Sequence, residues 1–317
     1  QVINPGYSEL RKLDVRTHFH PISAGAVATI DGSGTFFGDP RRELRAIPRA
    51  LPRILQDPKP FFGLLRGALL AQVREGESAD QFLQRLGATG APYEQLFEPF
   101  LRGVFLTALS EVDARFAQRV LRSLYRQVPG LPDGGVQALA QELRNRVKSI
   151  QSGERALEIS RSGRGFNVKT TNATFAARKV VVATDYLNAQ QFSGALPIVT
   201  FARSTAWYFT VEEQLSNQHR LHVAPLGSGP VVTSIDVAAV VPSYSPDGRG
   251  LLSVTTLEVS SEGEVRTHLQ AIYGAPISGD LISRIDIENA LPIIPPAARR
   301  RGIFEEEGLI FAGDYLA

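Results

Sequence analysis

The sequence predicts an α/β fold with an insertion (α+β insertion), in which one domain is assembled from both ends of the chain. A helical hydrophobic period runs from about residue 40 to residue 125, and strand-like patterns begin at about residue 129. The chain then ends on a short apolar strand, residues 309–312. Because the chain must return to the sheet that it left, we expect this strand to lie beside residues 179–183, which predict a strand buried on both faces.

The first forty residues contain the signals of a β-hairpin. Residues 24–30 and 35–37 are apolar runs that flank Asp31-Gly32-Ser33-Gly34, and Asp-Gly supplies the positive φ of a tight turn. The glycines do not form a nucleotide-binding loop, because their spacing differs from Gly-x-Gly-x-x-Gly and no strand and helix surround them.

Four or five short helices are predicted between residues 40 and 125. One begins at Ser78, a typical N-cap residue, and ends at Gly87. Residues 61–73 are apolar around most of the helix circumference. Two alternatives remain for them: a buried core helix, which the weak charged face favours, and a surface helix in peripheral contact with a membrane.

After residue 129 helices and strands alternate along the chain. A helix over residues 136–147 is followed by short strands up to residue 183, and residues 201–260 are rich in β patterns. A further helix ends at Gly274. We expect the helical stretch to form a lobe that faces the β-rich segment across a cleft.

The composition excludes several classes of function. Lys and Arg number 34 against 32 Asp and Glu, so the chain lacks the basic field that nucleic-acid binding requires. The absence of cysteine excludes disulfides, thiolate catalysis and cysteine-ligated metals. No secretory signal occurs and no apolar run approaches the ~20 residues of a membrane span, so a soluble cytoplasmic protein is the default expectation.

Three common site chemistries find no support in the pattern. The serines nearest to a nucleophile elbow, Ser228 among them, lie in polar turns without the helix that such an elbow requires. The pairs His18/His20 and His219/His222 have no carboxylate at ligand spacing, so ordinary histidines are favoured over a metal site. No P-loop occurs. We therefore predict no metal site.

The last ten residues, "GLIFAGDYLA", place Gly313 and Asp314 at the end of a buried strand. This segment resembles the C-terminal flavin-binding strand of the amine oxidase / phytoene desaturase superfamily of FAD-dependent oxidoreductases. Further landmarks match in the same order: "LFEPFLRGVFLTALSEVDARF", "VPGLPDGGVQALAQEL", "FAARKVVVATD", "YSPDGRGLLSVTTL" and "VRTHLQAIYG". The resemblance covers nearly the whole chain and looks closest to bacterial phytoene desaturase-like oxidoreductases.

The resemblance implies an incomplete FAD-binding Rossmann-like domain with an inserted helical and β-rich substrate domain. The implied segments are residues 1–40 as a remnant of the FAD domain with the hairpin, 41–128 as the helical substrate lobe, 129–200 as the α/β portion of the FAD domain, 201–300 as the β-rich substrate domain, and 301–317 as the terminal FAD-domain strand.

The resemblance also implies which residues contact FAD. Gly313 and Asp314 match the flavin-contacting Gly-Asp, and Ala183 and Thr184 match the turn beside the adenosine. Ala156 matches the strand position whose backbone meets the adenine, where the family usually has a branched residue. The catalytic lysine of some family amine oxidases has no identifiable counterpart here, so the catalytic residues stay unassigned.

The implied function is flavin-mediated hydride removal from an apolar, polyene-like or amine substrate. Apolar residues of the lobe are candidates for a pocket lining, although plain helix packing is the stronger alternative for them: Phe61, Phe62, Leu64, Leu65, Phe97, Phe100 and Phe105. Two other functions stay open. They are a non-catalytic substrate-binding module that does not bind FAD, and an interaction scaffold.

Two departures from the family pattern concern the cofactor. The N-terminal Gly-x-Gly-x-x-Gly turn of the family does not occur in the sequence, and the match stops after Asp314, before the family's glycine-rich helix. The sequence also has no methionine. We therefore expect a truncated member of the family that binds FAD weakly or not at all by itself.

Overall fold

The computed structural model describes residues 2–30, 33–39, 41–43, 70–91, 93–212, 215–298 and 302–316. The chain divides into two compact units. Unit 1 comprises Gln1–Asn145 and Phe201–Ala297, and unit 2 comprises Arg146–Thr200 and Ala298–Ala317. Each unit is therefore assembled from two separate segments of the chain.

The helices and strands of the described residues are named in chain order. The helices are α1 Ser8–Lys12, α2 Ala79–Arg85, α3 Glu98–Phe105, α4 Ala114–Arg126, α5 Gly135–Arg144, α6 Tyr186–Gln190, α7 Val237–Val240 and α8 Glu262–Tyr273. The strands are β1 Phe19–Pro21, β2 Gly25–Ile30, β3 Ser33–Gly38, β4 Gly130–Pro132, β5 Ala156–Ser162, β6 Gly165–Thr170, β7 Thr174–Ala177, β8 Val180–Val182, β9 Phe201–Val211, β10 Leu221–Val223, β11 Val231–Asp236, β12 Gly250–Thr256, β13 Leu281–Pro292, β14 Phe304–Glu306 and β15 Leu309–Phe311.

The main sheet of unit 1 has seven strands in the order β13-β9-β12-β11-β10-β2-β3. Strands β10 and β2 run parallel, with Leu221 opposite Ala26, and the other neighbours in this sheet are antiparallel. The predicted hairpin is confirmed as β2 and β3, and Asp31 and Gly32 of its turn lie outside the described residues. Its pairing with β10 places the hairpin in the sheet of the β-rich segment rather than with β8 and β15.

Helix α8 covers one face of this sheet. Trp207 and Leu252 of the sheet pack with Val265 of the helix in a buried apolar core, and such burial is the main stabilising term of a fold. Ser261 caps the start of α8 in a capping box. The helix ends at Gly274, whose φ of 72° lies in the left-handed region, as the sequence predicts.

Helices α2, α3 and α4 form a second apolar core. Its fully buried members include Phe82, Leu83, Leu101 and Val112. Ser78 caps α2 in a capping box, as predicted, and Asp113 caps α4 by accepting hydrogen bonds from the first backbone amides of that helix.

Helix α3 packs directly on the sheet. A Cβ at Gly103 would lie 2.8 Å from Cγ2 of Thr233 in β11, so glycine allows a close approach of helix and strand. Phe97 and Phe100 pack against a buried cluster of β2 and β10. Beyond this contact Arg102 borders a groove of about 380 Å³ with the loops that follow β10 and β12. The predicted lobe is thus joined to the sheet, with a groove at its margin.

Unit 2 contains a three-stranded sheet in the order β14-β15-β8. Strands β15 and β8 run parallel, with Phe311 opposite Val182. This pairing confirms the prediction that residues 309–312 lie beside residues 179–183. The prediction that the latter strand is buried on both faces is wrong, because Val181 is 57% exposed.

The second sheet of unit 2 is the antiparallel meander β5-β6-β7. The guanidinium of Arg161 in β5 lies 5.1 Å from the ring of Phe166 and 3.7 Å from the carboxylate of Glu307, two residues before β15. The meander therefore meets the parallel pair at the amino end of β15.

No helix within the described ranges is both long enough and apolar enough to cross a membrane. Of the helix predicted over residues 61–73, residues 61–69 lie outside the described residues, and the described residues 70–73 are not helical. Both alternatives for the helix predicted there therefore stay predictions.

Candidate functional site

The carboxyl ends of β8 and β15 meet at one edge of unit 2. The backbone amide of Ala312 donates a hydrogen bond of 2.9 Å to the carbonyl of Val182, so the parallel pairing continues past the end of β15. Ala183 and Thr184 follow β8 directly, and Gly313 and Asp314 follow Ala312. The structure thus brings four of the five predicted cofactor residues together. The carboxyl edge of parallel strands is where open α/β sheets bind ligands.

Asp314 offers a free acceptor at this edge. Its side chain is exposed and begins a short 3₁₀ turn, Asp314–Leu316. Within the part of the chain that the structure describes, no donor or cation pairs with its carboxylate. An unpaired carboxylate in this position accepts hydrogen bonds from hydroxyl groups of a ligand.

Tyr315 packs beneath Asp314. Its ring occupies the space that a Cβ on Gly313 would fill, so glycine is required before the carboxylate. The residue is 4% exposed, and its ring lies 5.6 Å from that of Tyr186. Its buried hydroxyl has no hydrogen-bond partner among the described residues. Burial raises the pKa of the Tyr315 phenol, and the carboxylates of Asp314 and Asp185 raise it further, so the hydroxyl keeps its proton.

Asp185, directly after Thr184, is a second carboxylate at this edge and is not among the predicted cofactor residues. Its side chain caps α6, with Oδ1 accepting the Asn188 amide at 3.1 Å and Oδ2 accepting the Asn188 side chain at 2.5 Å. These bonds lower the pKa of Asp185. The hydroxyl of Thr184 donates to the Asp185 carbonyl at 3.2 Å. An Asp directly after a strand and before a short helix is an N-cap signal that was present in the sequence.

Tyr186 anchors the loop behind this edge. Its hydroxyl donates to the carbonyl of Pro197 at 2.9 Å and accepts from the amide of Val199 at 3.2 Å. The side-chain amide of Gln190 donates to the same oxygen at 2.7 Å. The Tyr186 hydroxyl therefore takes part in three hydrogen bonds, whereas the Tyr315 hydroxyl has no partner among the described residues.

Ala156, the fifth predicted cofactor residue, lies apart from the other four. It begins β5 in the meander, is half-buried, and pairs with Thr170. The register shifts between Ala156 and Glu158. A register shift leaves backbone N–H and C=O groups outside the regular hydrogen-bonding ladder. The backbone at Ala156 therefore has groups that can bind a ligand, although its side chain is not the branched one usual in the family.

Ser228 is hydrogen-bonded to a histidine, yet the pair is not a nucleophile and base. Nδ1 of His268 accepts the amide of Val231 at 3.0 Å, so the ring proton is on Nε2 and points to the Ser228 hydroxyl at 3.1 Å. That hydroxyl donates to the carbonyl of Pro225 at 2.6 Å. Because His268 donates to the serine, it does not act as its base.

The histidine pairs have structural partners. The rings of His18 and His20 lie edge to face with centroids 4.8 Å apart, and Nε2 of His20 is 3.7 Å from Asp133. His222 is buried, and its Nε2 donates to the carbonyl of Asn217 at 3.3 Å. Over the described ranges, no group of three potential metal ligands is present.

The predicted pocket-lining phenylalanines contribute to packing. Phe105 is buried in the core of α2, α3 and α4, and Phe97 and Phe100 contact both that core and the sheet. Residues 61, 62, 64 and 65 lie outside the described residues. The packing alternative therefore holds for the three that are described.

Comparison with known proteins gives a family and a fold. The sequence matches the model of the family described as flavin containing amine oxidoreductase over residues 4–272. No curated protein sequence matches the chain significantly.

Several solved structures share the fold at low sequence identity. An oxidoreductase from Methanosarcina mazei has a TM-score of 0.74 at 13% identity, over 96% of this chain and 79% of that chain. Cyclohexylamine oxidase from Brevibacterium oxydans has a TM-score of 0.62 at 14% identity, over 100% and 81%. Putrescine oxidase bound to putrescine has a TM-score of 0.53 at 14% identity, over 88% and 70%.

At these identities the structural likeness establishes the fold alone, a mixed α/β fold shared with this oxidoreductase and these oxidases. The family model spans well over half of the chain and agrees with the resemblance that the ordered sequence landmarks carry. The chain therefore belongs to the family of flavin-containing amine oxidoreductases.

Proposed function

We propose that this chain supplies part of the flavin site and the substrate region of an FAD-dependent oxidoreductase. FAD, when bound, accepts a hydride from a substrate C–H bond, and the protein supplies binding, orientation and electrostatics. The observation that carries the proposal is the juxtaposition of Thr184 with the unpaired carboxylate of Asp314 at adjacent ends of two parallel strands.

Asp314 is suited to the polyhydroxyl part of the cofactor. The ribityl chain presents hydroxyl donors, and an ionised acceptor makes the stronger kind of hydrogen bond with them. Asp185 is less suited, because both of its carboxylate oxygens already accept hydrogen bonds from Asn188. A Cβ on residue 313 would overlap the Tyr315 ring, so glycine directly precedes Asp314, whose own side chain is exposed.

The sequence offers few groups that would bind the pyrophosphate of FAD. The sequence contains no Gly-x-Gly-x-x-Gly turn, whose backbone amides cradle a pyrophosphate at a helix N-terminus. The carboxylate of Asp314 repels the phosphate charges. We therefore propose that this chain by itself holds FAD weakly, and that Ala156, Ala183 and Thr184 contribute backbone or hydroxyl contacts on the adenosine side.

We propose a small apolar molecule as the substrate, acted on in the cytoplasm, with an amine as the alternative. Support for the amine comes from the names of two oxidases that share the fold, which act on cyclohexylamine and putrescine. The groove beside Arg102 has apolar side chains such as Leu226, Val232 and Leu257 as well as charged ones, and the apolar part of its lining supports an apolar molecule.

The proposal is tested by titrating riboflavin and FAD separately into the full 317-residue chain and following flavin fluorescence. We expect both to bind weakly, with FAD little tighter than riboflavin, because the repulsion between Asp314 and the pyrophosphate offsets the contacts on the adenosine side. Asp314→Ala should weaken riboflavin binding by about tenfold, the loss of one charge-assisted hydrogen bond, and FAD binding by less, because the variant also removes the repulsion of the pyrophosphate. Asp247→Ala, which removes an exposed carboxylate in unit 1, is the matched control and should have no effect.

Tight FAD binding that is unchanged by Asp314→Ala would remove this residue from the site. A folded chain that binds neither flavin supports the second candidate, a substrate-binding module of the same family without a cofactor.

A further inference from the structure

Strand β13 forms one edge of the seven-stranded sheet of unit 1. Its pairing with β9 is regular over residues 283–287 and is interrupted by a register shift on either side of that segment. Ile285 is the central residue of the regular segment. Among the described residues no strand pairs with the outer edge of these five regular residues, and an exposed strand edge is a template for another strand.

The side chains of this segment have a distinctive pattern. Ile285 and Ile287 share one face and are 47% and 38% exposed. Arg284 and Asp286 share the other face and form an exposed ion pair of 3.1 Å. The strand thus has partly exposed apolar side chains on one face and one charge of each sign on the other.

We propose that β13 pairs antiparallel with β13 of a second copy of this chain, about a two-fold axis at Ile285. Such a contact is isologous, because the same surface serves both copies. It joins the two seven-stranded sheets into one continuous sheet. The mode of association is strand addition at a free edge.

The register follows from the charges. A two-fold axis normal to the sheet pairs residues of the same face, and an axis at Ile285 places Arg284 of each copy opposite Asp286 of the other. An axis at Asp286 places two aspartates opposite each other, and an axis at Arg284 does the same for two arginines. An axis at Ile287 places Asp286 opposite the Glu288 of the other copy. Only the register centred on Ile285 gives two attractive pairs and no like-charge pair.

The charged side chains are held in place before association. The guanidinium of Arg284 lies 4.7 Å from the ring centroid of Trp207. Asp286 accepts the hydroxyl of Thr205 at 2.8 Å. Glu288, the next charged residue along the strand, forms an ion pair of 2.9 Å with Arg203 of β9. Its charge is therefore already balanced within its own copy. Little side-chain entropy is lost when the pairs form across the axis.

The contact is small, because five residues of strand bury less than the roughly 1,000 Å² of a stable interface. We therefore expect a reversible dimer in the micromolar range. Sedimentation velocity or light scattering of the full chain, from about 1 to 200 µM, covers the range of such a weak association.

The decisive variants exchange charges. Asp286→Arg places two like pairs across the axis and should weaken the dimer by about tenfold or more. The double variant Arg284→Asp with Asp286→Arg restores two opposite pairs and should recover the dimer. The control is Asp247→Arg, which breaks another exposed Arg–Asp pair two residues apart, Asp247 with Arg249, away from this edge. It should leave the dimer unchanged.

Thermal unfolding of each variant separates association from folding. A monomer at all concentrations, or a dimer that Asp286→Arg leaves unchanged, would overturn the proposal. Failure of the double variant to recover a dimer that the single variant loses would equally overturn the register, provided that the double variant unfolds at the wild-type temperature.

Discussion

The amide of Ala312 is hydrogen-bonded to the carbonyl of Val182 at 2.9 Å, one residue beyond the end of β15. This bond keeps the two strand ends together at the point where the chain turns. Gly313 and Thr184 therefore emerge side by side, and the conformation of Gly313 decides where Asp314 lies.

We predict that Gly313→Ala destabilises the protein. The added Cβ would overlap the ring of Tyr315, which is buried and has little room to move. Overpacking of this kind typically costs about 1–3 kcal/mol in the free energy of unfolding. Urea titration measures it, and Gly194→Ala is the matched control, because nothing lies within 4 Å of a Cβ at that exposed position in the same unit. Equal stabilities of the two variants would contradict the packing of Tyr315.

The two neighbouring tyrosines should respond in opposite ways to loss of the hydroxyl. Tyr315→Phe removes a buried hydroxyl without a described partner, so the free energy of unfolding should be unchanged or rise by about 1 kcal/mol. Tyr186→Phe removes the oxygen that binds Pro197, Val199 and Gln190, and should cost about 1–3 kcal/mol. Urea titration of both variants checks this, and a clear loss of stability in Tyr315→Phe would show that its hydroxyl has a partner.

Stability should fall in mild acid because of His222. Burial lowers the pKa of this imidazole to about 4, against about 6.5 in the unfolded chain. The unfolded state therefore binds the proton first, and the contribution of His222 is fully present above pH 6.5 and is lost as the pH falls towards 4. The loss amounts to roughly 3 kcal/mol at most.

Urea titrations at several pH values between 7.5 and 4 measure this dependence. His268, whose pKa burial also lowers, adds a contribution of the same sign. His222→Asn should therefore reduce the slope of stability against pH without abolishing it. A slope identical to that of the wild-type protein would contradict the burial of His222.

Local features of the fold were predictable from the sequence because their causes are local. The cap at Ser78, the stop at Gly274 and the hairpin around residues 31–34 each depend on a few adjacent residues. The adjacency of β8 and β15 was also predictable, since a returning chain needs an apolar strand to join. The exposure of Val181 was not, because an apolar run does not reveal which of its faces is covered.

The candidate site was predictable only in part for the same reason. Asp314 stands out as a carboxylate at a strand end, and the family resemblance adds Thr184. The role of Tyr315 beneath Gly313 and the unpaired hydroxyl depend on three-dimensional packing that no spacing encodes. The tautomer of His268 depends on Val231, a residue far away in sequence.

The parallel pairing of β2 with β10 has a consequence for folding during synthesis of the protein. Ala26 leaves the ribosome long before Leu221, its partner in the sheet. The hairpin of β2 and β3 therefore keeps one open edge while helices α2 to α6 and all of unit 2's first segment are synthesised. Pairings so distant in sequence form slowly, and open strand edges aggregate. Unit 1 therefore reaches its final seven-stranded sheet only after β13 has been made, and the hairpin keeps an open edge until β10 is available.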